Sequence, residues 1–310
     1  MNVTFHYAAG HDLTQRLAAI PGLNVAICPE PDEALLARLL PEVEVLWHVL
    51  KPCTAEMIAA APKLRLIQKI GVGVNTIALE AAKARGIPVC NLPGTNSQAV
   101  AEMALLLMLA SLRRLPQFDA GLRAGTWATP PSVQDRLGEL GGRTVGLVGF
   151  GAVPAILAPV LAAMGCTVIY TARRRRDVPY TYCGLDTLLR LSDVVSLHVP
   201  QTEQTAGMID AAALARMKQG AILINTARGG LVDEAALHAA LASGHLGAAG
   251  LDVFAQEPTP AGNPLLLLDR VVVAPHVAWL TGGTFERSFD IAAENVRRLA
   301  AGEALLNRVA

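Results

Sequence analysis

Charge of one sign is what this 310-residue sequence lacks most plainly: 26 Lys and Arg balance 26 Asp and Glu, for a formal net charge of zero. The one-signed field that draws proteins to nucleic acid or to anionic membranes is therefore missing. Its five cysteines, Cys28, Cys53, Cys90, Cys166 and Cys183, are odd in number and never spaced as C-x-x-C, so neither a disulfide framework nor a metal site follows. Their apolar neighbours suit buried small hydrophobes. Apolar stretches such as 103–110 and 221–224 fall well short of a membrane span, and residues 1–10 carry no signal-peptide pattern, which makes a cytoplasmic protein the expectation. No repeat of solenoid period is visible, and the run 173–176 is the only low-complexity feature.

What is present is apolar surface in quantity: 52% hydrophobic against 17% charged residues, enough for buried cores. The length favours two lobes. Short apolar runs at 2–7, 43–49, 64–69, 144–148, 167–171, 194–198, 221–225, 248–252 and 271–274 alternate with segments of helical period such as 97–112, 152–163 and 234–243. That alternation predicts an α/β fold with parallel sheets covered by helices on both faces. The polar, glycine- and proline-rich stretch 121–142 reads as a surface excursion, its Trp127 and Pro130-Pro131 serving either a second subunit or local packing.

The segment Thr144-Val145-Gly146-Leu147-Val148-Gly149-Phe150-Gly151-Ala152-Val153-Pro154 ends one predicted strand and opens a predicted helix, the setting of a dinucleotide fingerprint. Gly149 permits the tight turn and Gly151 the approach of a pyrophosphate, which the N–H groups of Ala152 and Val153 would face along the helix dipole. The third glycine of G-x-G-x-x-G is missing. Pro154 stands in its place, tolerated in a first turn but without an N–H, and Pro159, deeper in the helix, predicts a kink. The next strand ends at Thr171-Ala172-Arg173-Arg174, where an NAD enzyme usually carries Asp or Glu. Guanidinium groups suit a 2′-phosphate, so NADP(H) is preferred and NAD(H) stays open, with a solvated loop charge run as the plain alternative.

Three later segments, 222–234, 250–258 and 271–281, carry polar residues just beyond apolar strands and contain Arg228, Glu257 and His276. An Arg can hold a substrate carboxylate and polarise the neighbouring carbonyl, a His can exchange the alcohol proton, and a Glu can hold the imidazolium; together they suffice for carbonyl reduction beside a nicotinamide. Taken singly, the three read equally as a surface ion pair, a loop acid and a turn histidine.

In order along the chain, the series from about Gly71 to Arg308 resembles the D-isomer-specific 2-hydroxyacid dehydrogenases. It comprises Gly71-Val72-Gly73-Val74-Asn75 with Ile77, Asn91-Leu92-Pro93-Gly94-Thr95-Asn96 with Val100-Ala101-Glu102, the glycine turn, Ser196-Leu197-His198-Val199-Pro200 with Thr205, and the three segments above. The resemblance implies that Arg228, Glu257 and His276 are catalytic, with Arg228 and His276 touching both cofactor and substrate. It assigns the amides of Val72, Gly73 and Val74 to the substrate carboxylate. It sets Asn96, Val100 and Asp252 beside the nicotinamide, Thr226, Ala227 and Ala278 along the cofactor, and His198, Val199, Pro200 and Thr205 at the adenosine. It further implies two doubly wound parallel-sheet domains: a flavodoxin-like substrate domain of residues 1–95 and 282–310, interrupted by a Rossmann dinucleotide-binding domain of residues 96–281. Segments 97–112 and 285–299 would be the connecting helices, and the region around 110–140 would help form a homodimer. Ala278-Trp279 departs from the Gly-Ser or Gly-Gly that the family often has there, which implies a bulkier nicotinamide side.

The expectation is then NADP(H)-dependent reduction of a small 2-oxo acid, glyoxylate or hydroxypyruvate, to the D-2-hydroxy acid, with His276 as general acid and base. Trp47, His48 and Lys51 either face the distal end of the acid or pack, and Lys51 suits a phosphorylated substrate. A chain ending at Ala310 without an appended regulatory domain argues against a phosphoglycerate-type dehydrogenase using NAD. A non-enzymatic NAD(P)-sensing, corepressor-like protein is the reading from another class, and the intact trio argues for turnover.

Overall fold

The computed structural model describes every residue except Ala128, which lies within the 121–142 excursion. Two compact units emerge, Met1–Asn96 with Thr281–Ala310, and Ser97–Leu280.

In the first unit β1 (Asn2–His6), β2 (Asn24–Ile27), β3 (Val45–His48), β4 (Leu66–Lys69) and β5 (Val89–Cys90) form one all-parallel sheet in the order β2-β1-β3-β4-β5. This is the flavodoxin-like order. β3 and β4 are buried along their whole length, as strands covered on both faces must be. Register sets Phe5, Trp47 and Gln68 side by side, and His6, His48 and Lys69 likewise, so the two rows point to opposite faces.

Aromatic residues are only 4% of the chain, yet four of them meet on one face of this sheet. Phe289, from helix Gly282–Ala301, lies 5.4 Å from the Phe5 ring and 5.2 Å from Trp47, and Phe285 stacks on it at 5.6 Å. Behind them the buried Asn295 donates to Gln68 Oε1 at 2.7 Å and accepts from Leu306 N at 2.7 Å. Val309 N then bonds Val89 O at 2.8 Å, which stitches the C-terminal segment to β5. On the opposite face Leu46, Ile67 and Val89 pack with Leu36, Met57 and Ile58.

Trp47 is thus a core residue, the packing alternative of the two its position allowed: its ring lies against Phe289 and is 0% exposed. His48 is equally buried, with Nε2 2.8 Å from Lys51 O. Lys51 donates to Glu33 Oε1 at 2.6 Å and to Glu30 O at 2.8 Å, so its ammonium is already paired.

The second unit holds β6 (Thr144–Val148), β7 (Thr167–Thr171), β8 (Thr181–Tyr182), β9 (Val194–Leu197), β10 (Ile222–Asn225), β11 (Ala248–Leu251) and β12 (Val271–Val273). Their order, β12-β11-β10-β9-β6-β7-β8, is all parallel and is the Rossmann order with a seventh strand added. Helix Ser97–Arg113 covers β10 and β11 through Ala104, Leu107 and Met108. Helix Ala152–Ala163 runs without interruption past Pro159. Pro159 and Ala155, whose carbonyl loses its partner there, both lie on the exposed face, which gives the ring room and leaves the carbonyl facing solvent. Among the described residues no helix is long and apolar enough to cross a membrane.

All the cysteines but the half-buried Cys183 are enclosed, and burial pushes the Cys53 thiol up to about 12 and that of Cys90 up to about 11. Such thiols are poor nucleophiles.

Truncating Phe289 to Ala removes the ring on which Phe5, Trp47 and Phe285 converge and should lower stability by ~3–5 kcal/mol. Denaturant unfolding measures this, and a loss below ~1 kcal/mol would deny the cluster its central place in the packing.

Candidate active site

In an open parallel sheet, backbone groups at the carboxyl ends of the strands point beyond the sheet edge, and the gap is widest where strand order reverses. In the second unit that reversal falls between β6 and β9. β6 leads into Gly149, held at φ +100 with its N–H on Thr171 O at 2.8 Å. A Cβ at Gly149 would lie 2.6 Å from His198 O, so only glycine allows the two strand ends this close. A Cβ at Gly151 would meet nothing within 4 Å. The amides of Ala152 and Val153 open the helix without intrahelical partners, and the buried Pro154 follows them. A tight turn, open space and free first-turn N–H groups fit a pyrophosphate.

Beside this turn, β7 ends at the half-buried Thr171, and Arg173, Arg174, Arg175 and Arg176 are all exposed. None of the four guanidinium groups has an ion pair among the described residues. Tyr170 Oη fixes the loop by bonding the N–H and C=O of Arg176 at 2.7 and 3.1 Å. On β9 the buried Ser196 lies 2.9 Å from His198 Nε2, and burial holds His198 down to about 4, so that imidazole is neutral near pH 7. Val199 and Pro200 follow it, and Thr205 Oγ1 donates back to Pro200 O at 2.7 Å.

At β10, β11 and β12 the strand ends interlock. Asn225 accepts Ala227 N at 3.0 Å and donates to Arg228 O at 2.8 Å, which shapes the turn through Thr226, Ala227 and Arg228. Gly229 comes next, and a Cβ there would lie 1.8 Å from Phe254 C, so the Arg228 loop and the Phe254–Glu257 loop are in direct contact. Burial lowers the Arg228 guanidinium from its ordinary value and Glu257 works against that shift; an arginine remains charged regardless.

The Glu257–His276 pair is the centre of this cluster. His276 Nδ1 is 2.7 Å from Glu257 Oε2, and Phe254 N donates to Oε1 at 2.9 Å. No partner among the described residues takes His276 Nε2, so this nitrogen is available for proton exchange. Burial alone would raise the Glu257 pKa, but the bond and charge of His276, the Phe254 amide and Arg228 outweigh it and hold the carboxyl below its ordinary value. His276 itself sits at φ +56, an unusual conformation for a non-glycine residue.

That conformation is enforced by Asp252, a carboxylate closed off from solvent. Its Oδ1 and Oδ2 accept Val277 N at 2.8 Å and Ala278 N at 3.0 Å, and its carbonyl accepts His276 N at 2.7 Å. Burial raises the Asp252 pKa, while the two amides and His276 pull against the shift. Trp279 is buried and donates Nε1–H to His276 O at 3.0 Å, which closes the turn from the other side.

One edge of one sheet therefore collects Gly149, Gly151, Ala152, Val153, Thr171, Arg173, Arg174, His198, Val199, Pro200, Thr226, Ala227, Arg228, Asp252, Glu257, His276 and Ala278. Thr205 lies in the loop after β9 and Val100 in helix Ser97–Arg113. Asn96, Val72, Gly73 and Val74 belong to the first unit, the last three in the loop after β4. In that loop the amides of Val72, Gly73 and Val74 donate to no described residue, while Val72 O accepts from Asn91 Nδ2 at 2.9 Å. Sequence reasoning missed the contact made possible by Gly229 and the bonds that Glu234 sends into the Glu257 loop. The only linear hint was an acid directly after the helix-capping Asp233.

Residues 105–278 match the family model described as D-isomer specific 2-hydroxyacid dehydrogenase, NAD binding domain. A D-3-phosphoglycerate dehydrogenase of Mycobacterium bovis is 42% identical over 281 residues, 88% of this chain and 52% of that protein. A glyoxylate reductase of Korarchaeum cryptofilum is 39% identical over 280 residues, 88% of this chain and 84% of that protein. Among solved structures, a protein of Thermus thermophilus superposes with a TM-score of 0.90 at 38% identity, covering 100% of both chains. The chain belongs to the D-isomer specific 2-hydroxyacid dehydrogenase family. It spans about half the length of the phosphoglycerate dehydrogenases it matches.

Because folding depresses the Glu257 pKa, its contribution to stability is complete above the ordinary carboxylate value near ~4.3 and is lost as pH falls through the folded value. The stability difference between wild type and Glu257→Gln, read from unfolding curves, should be full above the ordinary carboxylate value and shrink as pH falls below it. A gap that widens toward acid would contradict the depressed value.

Proposed function

We propose that this chain reduces a small 2-oxo acid, glyoxylate or hydroxypyruvate, to the D-2-hydroxy acid with NADPH. The observation that carries the reading is the 2.7 Å Glu257–His276 pair, set with Arg228 at the carboxyl edge of the Rossmann-ordered sheet. Gly149, Gly151 and the amides of Ala152 and Val153 would hold the pyrophosphate, and His198, Val199, Pro200 and Thr205 would wall the adenosine. Thr226, Ala227, Asp252, Ala278 and Val100 would line the nicotinamide end. When bound, the cofactor supplies the hydride. Arg228 then holds the substrate carboxylate and polarises the carbonyl; in the first unit the amides of Val72, Gly73 and Val74, which donate to no described residue, are donors of the kind a carboxylate takes. His276 delivers a proton from Nε2 to the carbonyl oxygen, and Glu257 holds the ring in position and steadies its cationic form.

The preference for NADPH rests on Arg173 and Arg174: exposed, without ion pairs among the described residues, and carried just beyond the strand end where a 2′-phosphate would lie. A phosphoglycerate-type activity with NAD is the competing reading, favoured by the 42% identity to enzymes of that name. Exposed Leu106, Leu115, Leu122 and Trp127, on helices Ser97–Arg113 and Leu115–Arg123 and just beyond, favour a homodimer through this region.

A panel of 2-oxo acids assayed with NADPH and NADH tests the reading. Glyoxylate or hydroxypyruvate should turn over faster with NADPH, and replacing Arg173 and Arg174 by Ala should remove that preference. His276→Ala should lose roughly a hundredfold or more in kcat. Equal rates with the two cofactors would overturn the arginine assignment, binding of NADPH without turnover of any 2-oxo acid would favour a sensing protein, and reaction confined to a phosphorylated acid with NADH would favour the phosphoglycerate reading.

A further inference from the structure

Between the buried Phe254 and Leu265, the loop that carries Glu257 puts no apolar side chain into the core. Ala255, Gln256, Glu257 and Pro258 are all exposed, yet the Glu257 carboxylate must meet an imidazole within tenths of an ångström to be useful. Its anchorage comes from a group outside the catalytic cluster. Helix Glu234–Ala242 is already capped by Asp233, which accepts Ala236 N at 3.0 Å, so the Glu234 carboxylate is not needed at the helix end. Its two oxygens go elsewhere: Oε1 accepts Ala255 N at 2.6 Å and Oε2 accepts Asn263 Nδ2 at 3.0 Å.

Asn263, 8% exposed, is fully engaged. Its Nδ2 also donates to Thr259 Oγ1 at 3.1 Å, and its Oδ1 accepts Leu265 N at 3.0 Å, capping the short helix Pro264–Leu267. Glu234 therefore ties the two ends of the segment 255–263, and Glu257 lies between the tied points. The bond to Ala255 N is one residue from the Phe254 N–H that holds Glu257 Oε1, and Gly229 presses on the same peptide.

We infer that Glu234 and Asn263 act as a clasp that positions Glu257 against His276, making both positioning residues for the reaction; the inference rests on the catalytic reading proposed above. The chemistry of the clasp is specific. Both partners of Glu234 are N–H donors, so only a carboxylate satisfies both, and a glutamine turns its amide nitrogen toward one of them. Asn263→Asp sets two carboxylates against each other. The double change Glu234→Gln with Asn263→Asp restores one donor facing one acceptor and leaves Gln Oε1 for Ala255 N. The charged groups facing Glu257 itself, Arg228, His276 and Asp252, are unchanged in all three variants.

The test measures kcat and KM against pH for the preferred 2-oxo acid with NADPH, and follows the His276 imidazole by NMR through a pH titration, in wild type, the two single variants, the double variant and Glu257→Gln. Each single change should lower kcat by roughly ten- to a hundredfold with the KM for NADPH little altered. The alkaline fall of kcat/KM should begin at lower pH, and the double variant should recover most of the loss. The His276 titration in Glu234→Gln should move toward that of Glu257→Gln. Since this last readout needs no turnover, a wild type that reduces no 2-oxo acid defeats the catalytic reading and still leaves the clasp open to test. Wild-type kcat and pH profile in Glu234→Gln, a His276 titration unmoved by it, or a folded double variant no better than the worse single one would each overturn the proposal.

Discussion

A buried carboxylate is the constraint from which the geometry of the site follows. Asp252 sits at the end of β11 without solvent, and such a charge is tolerated only when its lone pairs are used. The structure uses them on the two amides just after His276, and the Asp252 carbonyl takes the amide of His276 itself. Three bonds from one residue thereby hold His276 at φ +56, a conformation that would otherwise cost on the order of 1–3 kcal/mol. With the turn fixed, the ring can point its Nδ1 at Glu257 and leave Nε2 free. Replacing Asp252 by an apolar residue would remove not one contact but the reason the turn has its shape.

The same logic runs along the rest of the edge. Asn225 shapes the Arg228 turn through its side-chain amide, Asp252 shapes the His276 turn, and Glu234 with Asn263 anchors the Glu257 loop. Each catalytic candidate sits on a loop, and each loop is held by a polar side chain that begins on a strand end or a helix start. Backbone groups beyond a parallel sheet have no ladder partners, so buried side chains take over the role that strand pairing plays inside the sheet. Gly229 adds the one steric condition: without a side chain, the Arg228 loop lies directly on the Glu257 loop.

Much of this was legible in the chain. β6 and β7 fall on their apolar runs residue for residue, because strands buried on both faces leave an unbroken apolar signature. β2, half-exposed at the sheet edge, and the two-residue strands β5 and β8 left too little pattern to read. Among the candidate residues, Arg228, Glu257 and His276 lie just after apolar strands, where polar residues gather at one edge, but singly each had a plain reading, and the resemblance of the ordered series is what singled them out. For Trp47 the sequence left recognition and packing both open, because the side of the sheet it faces is decided by register and by a helix from the far end of the chain, neither of which is written near it.

The sequence by itself determined the α/β class, the glycine turn at Gly149–Gly151 and the arginines at the end of β7, since these depend on local period, glycine geometry and residue chemistry; it singled out Arg228, Glu257 and His276 only through the resemblance of the whole ordered series. Only the tertiary structure decided which nitrogen of His276 meets Glu257, that Asp252 holds the histidine turn, and that Glu234 reaches into the Glu257 loop. Those are contacts between segments far apart in the chain, made where separate strands end side by side, and no property of the segments taken singly specifies them.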